Sequence, residues 1–120
     1  MVEEKILIRG GIYLAKLNPA KTSEVGKVRP VIILNAQKIL DMSPPVIFVC
    51  PLSSKSHSDF GSIHLRLKPR DNLEVESFAL IEHCRAIGIT RIIYPGIANV
   101  TNMELSSIIT RLNDLLGTQR

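Results

Sequence analysis

Residues 23–30 bring a carboxylate, an ammonium group and a guanidinium within a few positions of one another. Glu24 and Lys27 lie in a polar stretch that predicts an exposed loop, whereas Arg29 directly precedes Pro30, at the entry to an apolar strand. An arginine fixed at such a junction suits a phosphate, because its planar guanidinium can donate to two oxygens. The alternative is a charged hairpin loop whose surface ion pair contributes only ~0–1 kcal/mol.

A second group of polar residues, Ser53, Ser54 and Lys55, follows the apolar run 46–52. Loops held by rigid strands commonly carry functional sites, so these hydroxyls and this ammonium group are candidates for ligand binding. A plain strand-terminating turn is the alternative. A Ser–His–Asp nucleophile is poorly supported, because the sequence contains no G-x-S-x-G elbow.

The third group is the run Glu82, His83, Cys84 and Arg85. In a strand these side chains alternate between two faces, so the four would not converge on one ligand. With no second cluster of ligands in the sequence, a metal site is disfavoured. Cys84 is flanked by apolar runs, which favours packing over nucleophilic chemistry.

A fourth candidate is the alternation over residues 62–68, which predicts a strand with a cationic face formed by His64, Arg66 and Lys68. Such a face is usually solvated, but it could also line a groove that follows a phosphate backbone. The sequence has no Gly-rich phosphate loop and no paired Asp residues at metal spacing. We therefore expect neither a cofactor nor a metal.

Length and composition limit the fold that positions these groups. The 120 residues fit a single domain spanning 1–120, and 45% hydrophobic content is enough to bury a core. No apolar run is long enough to span a membrane. Two cysteines without a CxxC motif favour a reducing cytoplasm over a disulfide scaffold. The net charge of +4 favours an anionic partner.

Apolar patterning predicts five or six short strands followed by one helix. The C-terminal apolar stripe has helical spacing, Thr101 with Glu104 forms a capping box, and Gly117 is a suitable stop. The segments between the strands are too short for crossover helices, so we expect a small β-barrel or folded sheet with a helix packed on it. The predicted strands cover residues 12–17, 31–34, 46–52, 62–68, 78–81 and 86–89, and the apolar stripe of the helix covers residues 105–116.

Taken together, these residues resemble the MazF/PemK family of toxins from bacterial toxin–antitoxin pairs. The similarity runs from about Arg9 to about Leu116, and order and spacing carry it more than any single block does. The matching blocks are Arg9-Gly10-Gly11-Ile12-Tyr13, Leu17-Asn18-Pro19, Ser23-Glu24 through Gly26 to Arg29-Pro30-Val31, Pro51-Leu52-Ser53-Ser54, Ser77 through Ile81 with Glu82, Arg85, Ala86-Ile87 and Arg91, and Gly96 with the C-terminal helix.

The resemblance implies an SH3-like small β-barrel with a C-terminal amphipathic helix, assembled as a homodimer. It implies a metal-independent endoribonuclease that cuts single-stranded RNA at short sequences by attack of the 2′-OH. The expected products are a 2′,3′-cyclic phosphate and a 5′-OH end. It also implies a cognate antitoxin whose acidic tail occupies the RNA groove, and DNA binding through the toxin–antitoxin complex.

The resemblance also assigns roles to individual residues. Arg29 matches the family's catalytic arginine, Ser53 matches a position that is usually Thr, and Glu24 matches a carboxylate used in some members. Ser23 stands where one branch has a His, and Glu82 stands where that branch has an Asp. We expect RNA contacts from residues around these positions, namely Ser23, Lys27, Ser54, Lys55 and Glu82.

Two other functions remain open on the sequence. One is a gyrase-poisoning toxin of the CcdB kind, which depends on a C-terminal Trp, whereas this chain contains no Trp. The other is a non-catalytic RNA-binding barrel. The presence of Arg29, Ser53 and Glu24 together favours the nuclease.

Overall fold

The computed structural model describes residues 5–17, 27–55 and 62–117. Within these ranges the chain forms strands and two helices, with short 3₁₀ turns at Ile81–His83 and Ile89–Arg91. The strands are β1 (Gly11–Lys16), β2 (Val28–Ile33), β3 (Val46–Ser53), β4 (Leu65–Leu67), β5 (Ser77–Ala79), β6 (Arg85–Gly88) and β7 (Ile92–Asn99), and the helices are α1 (Gln37–Leu40) and α2 (Asn102–Leu116).

The strands form a curled antiparallel sheet in which β3 is the central element. Six strands follow the order β4-β5-β3-β2-β1-β7, and β6 adds to β3 beside them. One edge of β3 pairs with β2. Its other edge is divided, because β6 pairs with the first half of β3 and β5 pairs with its last two residues. The end of β3 is therefore held on both sides.

Alternation along the central strands divides the interior into two apolar clusters. Val31, Ile33 and Val49 belong to one cluster, with Tyr13 and other side chains. A second cluster, which includes Ile108 of α2, contains the alternate side chains of the same strands, namely Ile32, Cys50 and Leu52. Because successive side chains of a strand point to opposite faces, the curled sheet encloses one cluster and presents the other to the helix.

The C-terminal helix begins as the sequence predicts. The Thr101 side chain accepts from the backbone N–H of Glu104, and the Glu104 carboxylate accepts from the N–H of Thr101. Glu104 also receives the guanidinium of Arg70, with 2.8 Å between Nη2 and Oε2. Ile108 is fully buried, and the helix ends before Gly117, whose φ is 72°. The helix start is thereby tied to the loop that precedes β5.

The predicted mainly β fold with a C-terminal helix is confirmed. Two elements were not predicted: α1, which lies between the predicted strands 31–34 and 46–52, and β7, whose Pro95 and Gly96 interrupt its apolar pattern. The predicted strand over 62–68 is shorter, because β4 begins only at Leu65. Neither helix in the described ranges is long and apolar enough to cross a membrane.

Candidate active site

A small open pocket lies where β2 begins and β3 ends. Its volume is about 280 Å³. It combines two cationic side chains, three hydroxyls and several apolar groups, which suits a ligand with both anionic and apolar parts. The described residues that line it are Lys27, Val28, Arg29, Pro30, Leu52, Ser53, Ser54, Leu73, Val75 and Ser77.

Arg29 and Ser53 occupy facing positions on the two central strands. Val31 pairs with Pro51, and the same antiparallel register continued by two residues places Arg29 across from Ser53. The N–H of Leu34 donates to the carbonyl of Phe48, and hydrogen-bonded pairs alternate with non-hydrogen-bonded pairs along the ladder. The position of Arg29 and Ser53 is therefore non-hydrogen-bonded, where facing side chains come closest together.

The hydroxyl of Ser53 is oriented by the backbone that follows it. Its Oγ accepts the N–H of Lys55 at 3.1 Å, an arrangement that Ser adopts at turns. This bond occupies a lone pair of Oγ and leaves the hydroxyl hydrogen out of the contact. Ser53 is thereby placed to donate to an oxygen in the pocket, next to the guanidinium across the ladder.

The electrostatic character of the pocket is positive. Lys27 and Arg29 line it, and no Asp or Glu is among the described residues that do. Lys27 is exposed and has a φ of 62°, a left-handed conformation that residues other than glycine rarely adopt. Such backbone conformations are concentrated at functional sites.

The opposite side of the pocket is apolar, and the sequence analysis did not identify it. Leu73 is buried below it, whereas Val28 and Val75 are exposed at 50% and 58%. Ser77 Oγ donates to the carbonyl of Val75 at 3.1 Å, which fixes the turn before β5. The pairing of β5 with β3 brings Val75 and Ser77 to Ser53, and no local pattern in the sequence predicts that pairing.

The predicted site residues fall into three groups in the structure. Arg29, Ser53, Lys27 and Ser54 line the same pocket. Lys55 contributes its backbone N–H to Ser53 and is exposed beside the pocket. Ser23 and Glu24 lie outside the described residues.

Glu82 does not line this pocket. Both of its carboxylate oxygens lie 2.8 Å from Nε2 of His64. It belongs to the 3₁₀ turn Ile81–His83, and of the run 82–85 only Arg85 lies in a strand. Its RNA contact stays a prediction.

The expected cationic face of residues 62–68 is wrong. His64 is only 5% exposed and pairs with Glu82. It precedes β4 instead of belonging to the strand, which lets its side chain turn inward. Arg66 is exposed and pairs with Glu76, so the three basic side chains do not form a continuous surface.

A larger groove of about 690 Å³ lies along α2, but its chemistry is less suited to a reaction. Its main cation is Arg111, whose Nη1 donates to the carbonyls of Ser62, Ile63 and His64 at 2.9–3.2 Å. This arginine therefore fastens α2 to the segment that precedes β4. Within the described ranges, no group of three or more His, Cys, Asp or Glu side chains is arranged to hold a metal ion.

Comparison with known proteins defines the class that has this fold and pocket. Residues 8–116 match the family model described as the PemK-like, MazF-like toxin of type II toxin–antitoxin systems. The chain belongs to this family. A curated relative, the endoribonuclease MazF of Staphylococcus saprophyticus, is 32% identical over 85 residues, which is 70% of each chain.

Solved structures have the same fold at lower identity. A crystal structure of MazF from Deinococcus radiodurans has a TM-score of 0.79 at 19% identity and covers 96% of this chain and 100% of its own. The Mycobacterium tuberculosis toxin MazF-mt6 has a TM-score of 0.71 at 14% identity, with 88% and 95% covered. A MazE–MazF crystal structure from Deinococcus radiodurans has a TM-score of 0.75 at 18% identity, with 97% and 100% covered.

Proposed function

We propose that the protein is the endoribonuclease of a type II toxin–antitoxin system and cuts single-stranded RNA without a metal ion at the pocket between β2 and β3. The observation that carries this proposal is the facing pair Arg29 and Ser53 in a positively charged pocket. Membership in the toxin family and the curated endoribonuclease relative support the same activity.

The chemistry needs no nucleophile from the protein, because RNA carries its own 2′-OH. This oxygen attacks the adjacent phosphorus, its proton passes to a base, and the bond to the 5′-oxygen breaks as that oxygen gains a proton. The products are a 2′,3′-cyclic phosphate and a 5′-OH end. The added negative charge on the phosphate oxygens of the transition state is what the protein must stabilise.

Arg29 and Ser53 are assigned to those phosphate oxygens. The guanidinium can donate to two oxygens at once, and the Ser53 hydroxyl, oriented by the N–H of Lys55, donates a further hydrogen bond. Lys27 and Ser54 contact the RNA beside the reacting phosphate. Glu24 is assigned as the base, since no carboxylate or imidazole is among the described residues that line the pocket.

The proposal extends to partners and location. The chain acts in the cytoplasm as a homodimer whose RNA groove is blocked by an acidic segment of the cognate antitoxin. The positive charge contributed by Lys27 and Arg29 suits an acidic peptide as well as RNA. Crystal structures of a MazE–MazF complex from Deinococcus radiodurans, and of a mycobacterial endoribonuclease with its cognate antitoxin, support this pairing.

The decisive experiment tests the role of the 2′-OH. A mixed-sequence single-stranded RNA is incubated with the protein and EDTA, and the cleavage site is mapped from the fragment ends. An oligonucleotide with that site is then made with one deoxyribose on the 5′ side of the scissile phosphate. Cleavage should stop, because DNA-like sugars lack the attacking group, while a deoxyribose one nucleotide away should leave cutting intact.

Two results would contradict the proposal. Cutting of the singly deoxy-substituted oligonucleotide would exclude 2′-OH attack. Intact RNA after incubation with the purified protein would favour the non-catalytic RNA-binding barrel, and a gyrase assay would then test the CcdB-like alternative.

A further inference from the structure

The two cysteines, which the proposed reaction does not use, lie next to each other behind β3. Val49 of β3 pairs with Arg85 of β6, and the same register continued by one residue places Cys50 across from Cys84. Cys50 Sγ lies 3.8 Å from the carbonyl oxygen of Pro51, and the Cys84 thiol is near enough to raise the pKa of Cys50. Cys50 is fully buried and Cys84 is partly buried against the same apolar cluster.

The hydrogen-bond pattern between β3 and β6 shows whether Cys50 and Cys84 form a hydrogen-bonded or a non-hydrogen-bonded pair. The N–H of Ile89 donates to the carbonyl of Pro45, so that pair is hydrogen-bonded. Pairs alternate along an antiparallel ladder, which makes the position of Cys50 and Cys84 non-hydrogen-bonded. Facing Cα atoms at such a position are about 4.5 Å apart, within the range of about 4.4–6.8 Å that disulfides span.

The local backbone also leaves Cys84 free of a strand hydrogen bond to Cys50. Its N–H donates to the carbonyl of Ile81, and its φ and ψ of −54° and 133° are extended. Cys84 therefore lies just before β6, next to the 3₁₀ turn Ile81–His83, and packs against the apolar cluster that contains Cys50. No other cysteine exists in the chain to compete for either sulfur.

We propose that Cys50 and Cys84 form a reversible disulfide when the protein meets an oxidised low-molecular-weight disulfide such as oxidised glutathione. The thiolate of Cys84, the more exposed residue, attacks the small disulfide and releases one small thiol. The thiolate of Cys50 then attacks Sγ of Cys84 and releases the second. In sum, two protein thiols and one small disulfide give one protein disulfide and two small thiols.

The surroundings of Cys50 make its thiol unreactive as long as the pair is reduced. The hydrogen bond with Cys84, burial and the nearby Glu82 carboxylate together raise the pKa of Cys50 well above its ordinary value. The thiolate is the reactive form, so Cys50 does not initiate exchange and serves as the second, resolving thiol. The expected order of reaction, Cys84 before Cys50, follows from the full burial of Cys50 and the partial exposure of Cys84.

The disulfide would fasten the middle of β3 to the segment between β5 and β6. It closes a long loop of the chain, and a cross-link of that kind stabilises the fold mainly by restricting the unfolded state. We expect oxidation to raise the melting temperature by about 10 °C. Because Cys50 belongs to the helix-side cluster, the disulfide lies on the face of β3 opposite Ser53.

The test uses the full-length protein and needs no RNA, so it is independent of the proposed nuclease. The protein is equilibrated with excess oxidised glutathione, quenched in acid, then unfolded in guanidinium chloride at pH 7 with excess maleimide and weighed by mass spectrometry. The expected result is a monomeric chain two hydrogens lighter, with no maleimide and no glutathione attached. Melting curves with and without dithiothreitol then give the temperature shift.

Variants complete the test. The half-buried Cys84→Ala should fold, take up one glutathione at most and lose the shift in melting temperature between oxidising and reducing conditions. Two labelled thiols in the oxidised wild-type protein, a stable glutathione adduct, or a disulfide between two chains would each overturn the proposal. A disulfide that forms without raising the melting temperature would overturn the geometry inferred here.

Discussion

Two regions on opposite faces of β3 treat their polar groups in different ways. On the helix side, His64 pairs with Glu82, Arg70 with Glu104, and Cys50 with Cys84. Where β2 begins and β3 ends, Arg29, Ser53 and their neighbours border an open pocket.

The difference shows that burial determines whether a polar group holds the fold together or can reach a ligand. Buried polar groups must find partners inside the protein, because leaving one unpaired costs several times what a surface pair contributes. On the helix side that demand is met, and the pairs hold segments of the fold together. In the pocket, Arg29 and Ser53 border open space, where a phosphate from outside can reach them.

The largest expected effect concerns Arg29. Arg29→Ala should lower the rate of RNA cleavage by about 10²–10³-fold, the usual loss when a donor aimed at the transition state is removed. Denaturant unfolding should change little, since the Arg29 side chain borders an open pocket and belongs to neither apolar cluster. Lys38→Ala, an exposed charge change on α1, is the matched control and should cut RNA at the wild-type rate. Near-normal cleavage by Arg29→Ala would remove this arginine from the mechanism.

His64 represents the helix side. His64→Ala removes a buried partner of Glu82 and should lower the free energy of unfolding by about 3 kcal/mol. Urea titration followed by circular dichroism measures it. An unfolding midpoint equal to that of the wild-type protein would mean that the pair does not hold the fold, and the contrast between the two regions would fail there.

Glu104 gives the helix side a pH signature. The hydrogen bond from Arg70, and further bonds at Thr101, hold the pKa of Glu104 below its ordinary value of 4.5. Its contribution to stability is therefore complete above about pH 4.5 and is lost as pH falls through the lowered pKa. Glu104→Gln should cost about 2 kcal/mol at pH 7.

The difference between Glu104→Gln and the wild-type protein should shrink in acid, because Glu104 takes up a proton as the pH falls through its lowered pKa. Thermal unfolding at pH 7 and pH 2 measures both values. A difference that stays constant between these two pH values would assign the cost to packing instead of charge.

The smallest of these effects concerns Ser53. Ser53→Ala should lower cleavage about tenfold, because one hydrogen bond of about 1.4 kcal/mol is removed from the transition state. Ser53→Thr keeps the hydroxyl and should retain most of the rate. Single-turnover cleavage at saturating protein separates this loss from weaker RNA binding. Equal loss in both variants would mean that the hydroxyl is not what the reaction requires at this position.

Much of the fold was predictable because it depends on residues that are close together in the sequence. The β-branched run of β2, the apolar run of β3, and the capping box of α2 each depend on neighbouring residues, and each was predicted near its observed position. The strand β7 was not, because Pro95 and Gly96 hide its pattern and its pairing with β1 shifts register.

The site was only partly predictable for the same reason. Arg29 and Ser53 were singled out by residue type and by family resemblance, but the apolar side of the pocket depends on β5 pairing with β3. The burial of His64 likewise depends on Glu82, which is distant in sequence. Long-range pairing decides which residues meet, and no local periodicity contains it.

The left-handed backbone of Lys27 lowers the stability of the fold, whereas its charge increases the rate at which RNA binds. Glycine adopts this conformation without steric cost, so Lys27→Gly should relieve strain of about 1 kcal/mol while removing a cation from the mouth of the pocket. The Lys27→Gly variant should unfold at a higher urea concentration and bind RNA more slowly. The slower binding should be most visible at low ionic strength. With a lysine at this position, the toxin is somewhat less stable but binds its polyanionic RNA target faster.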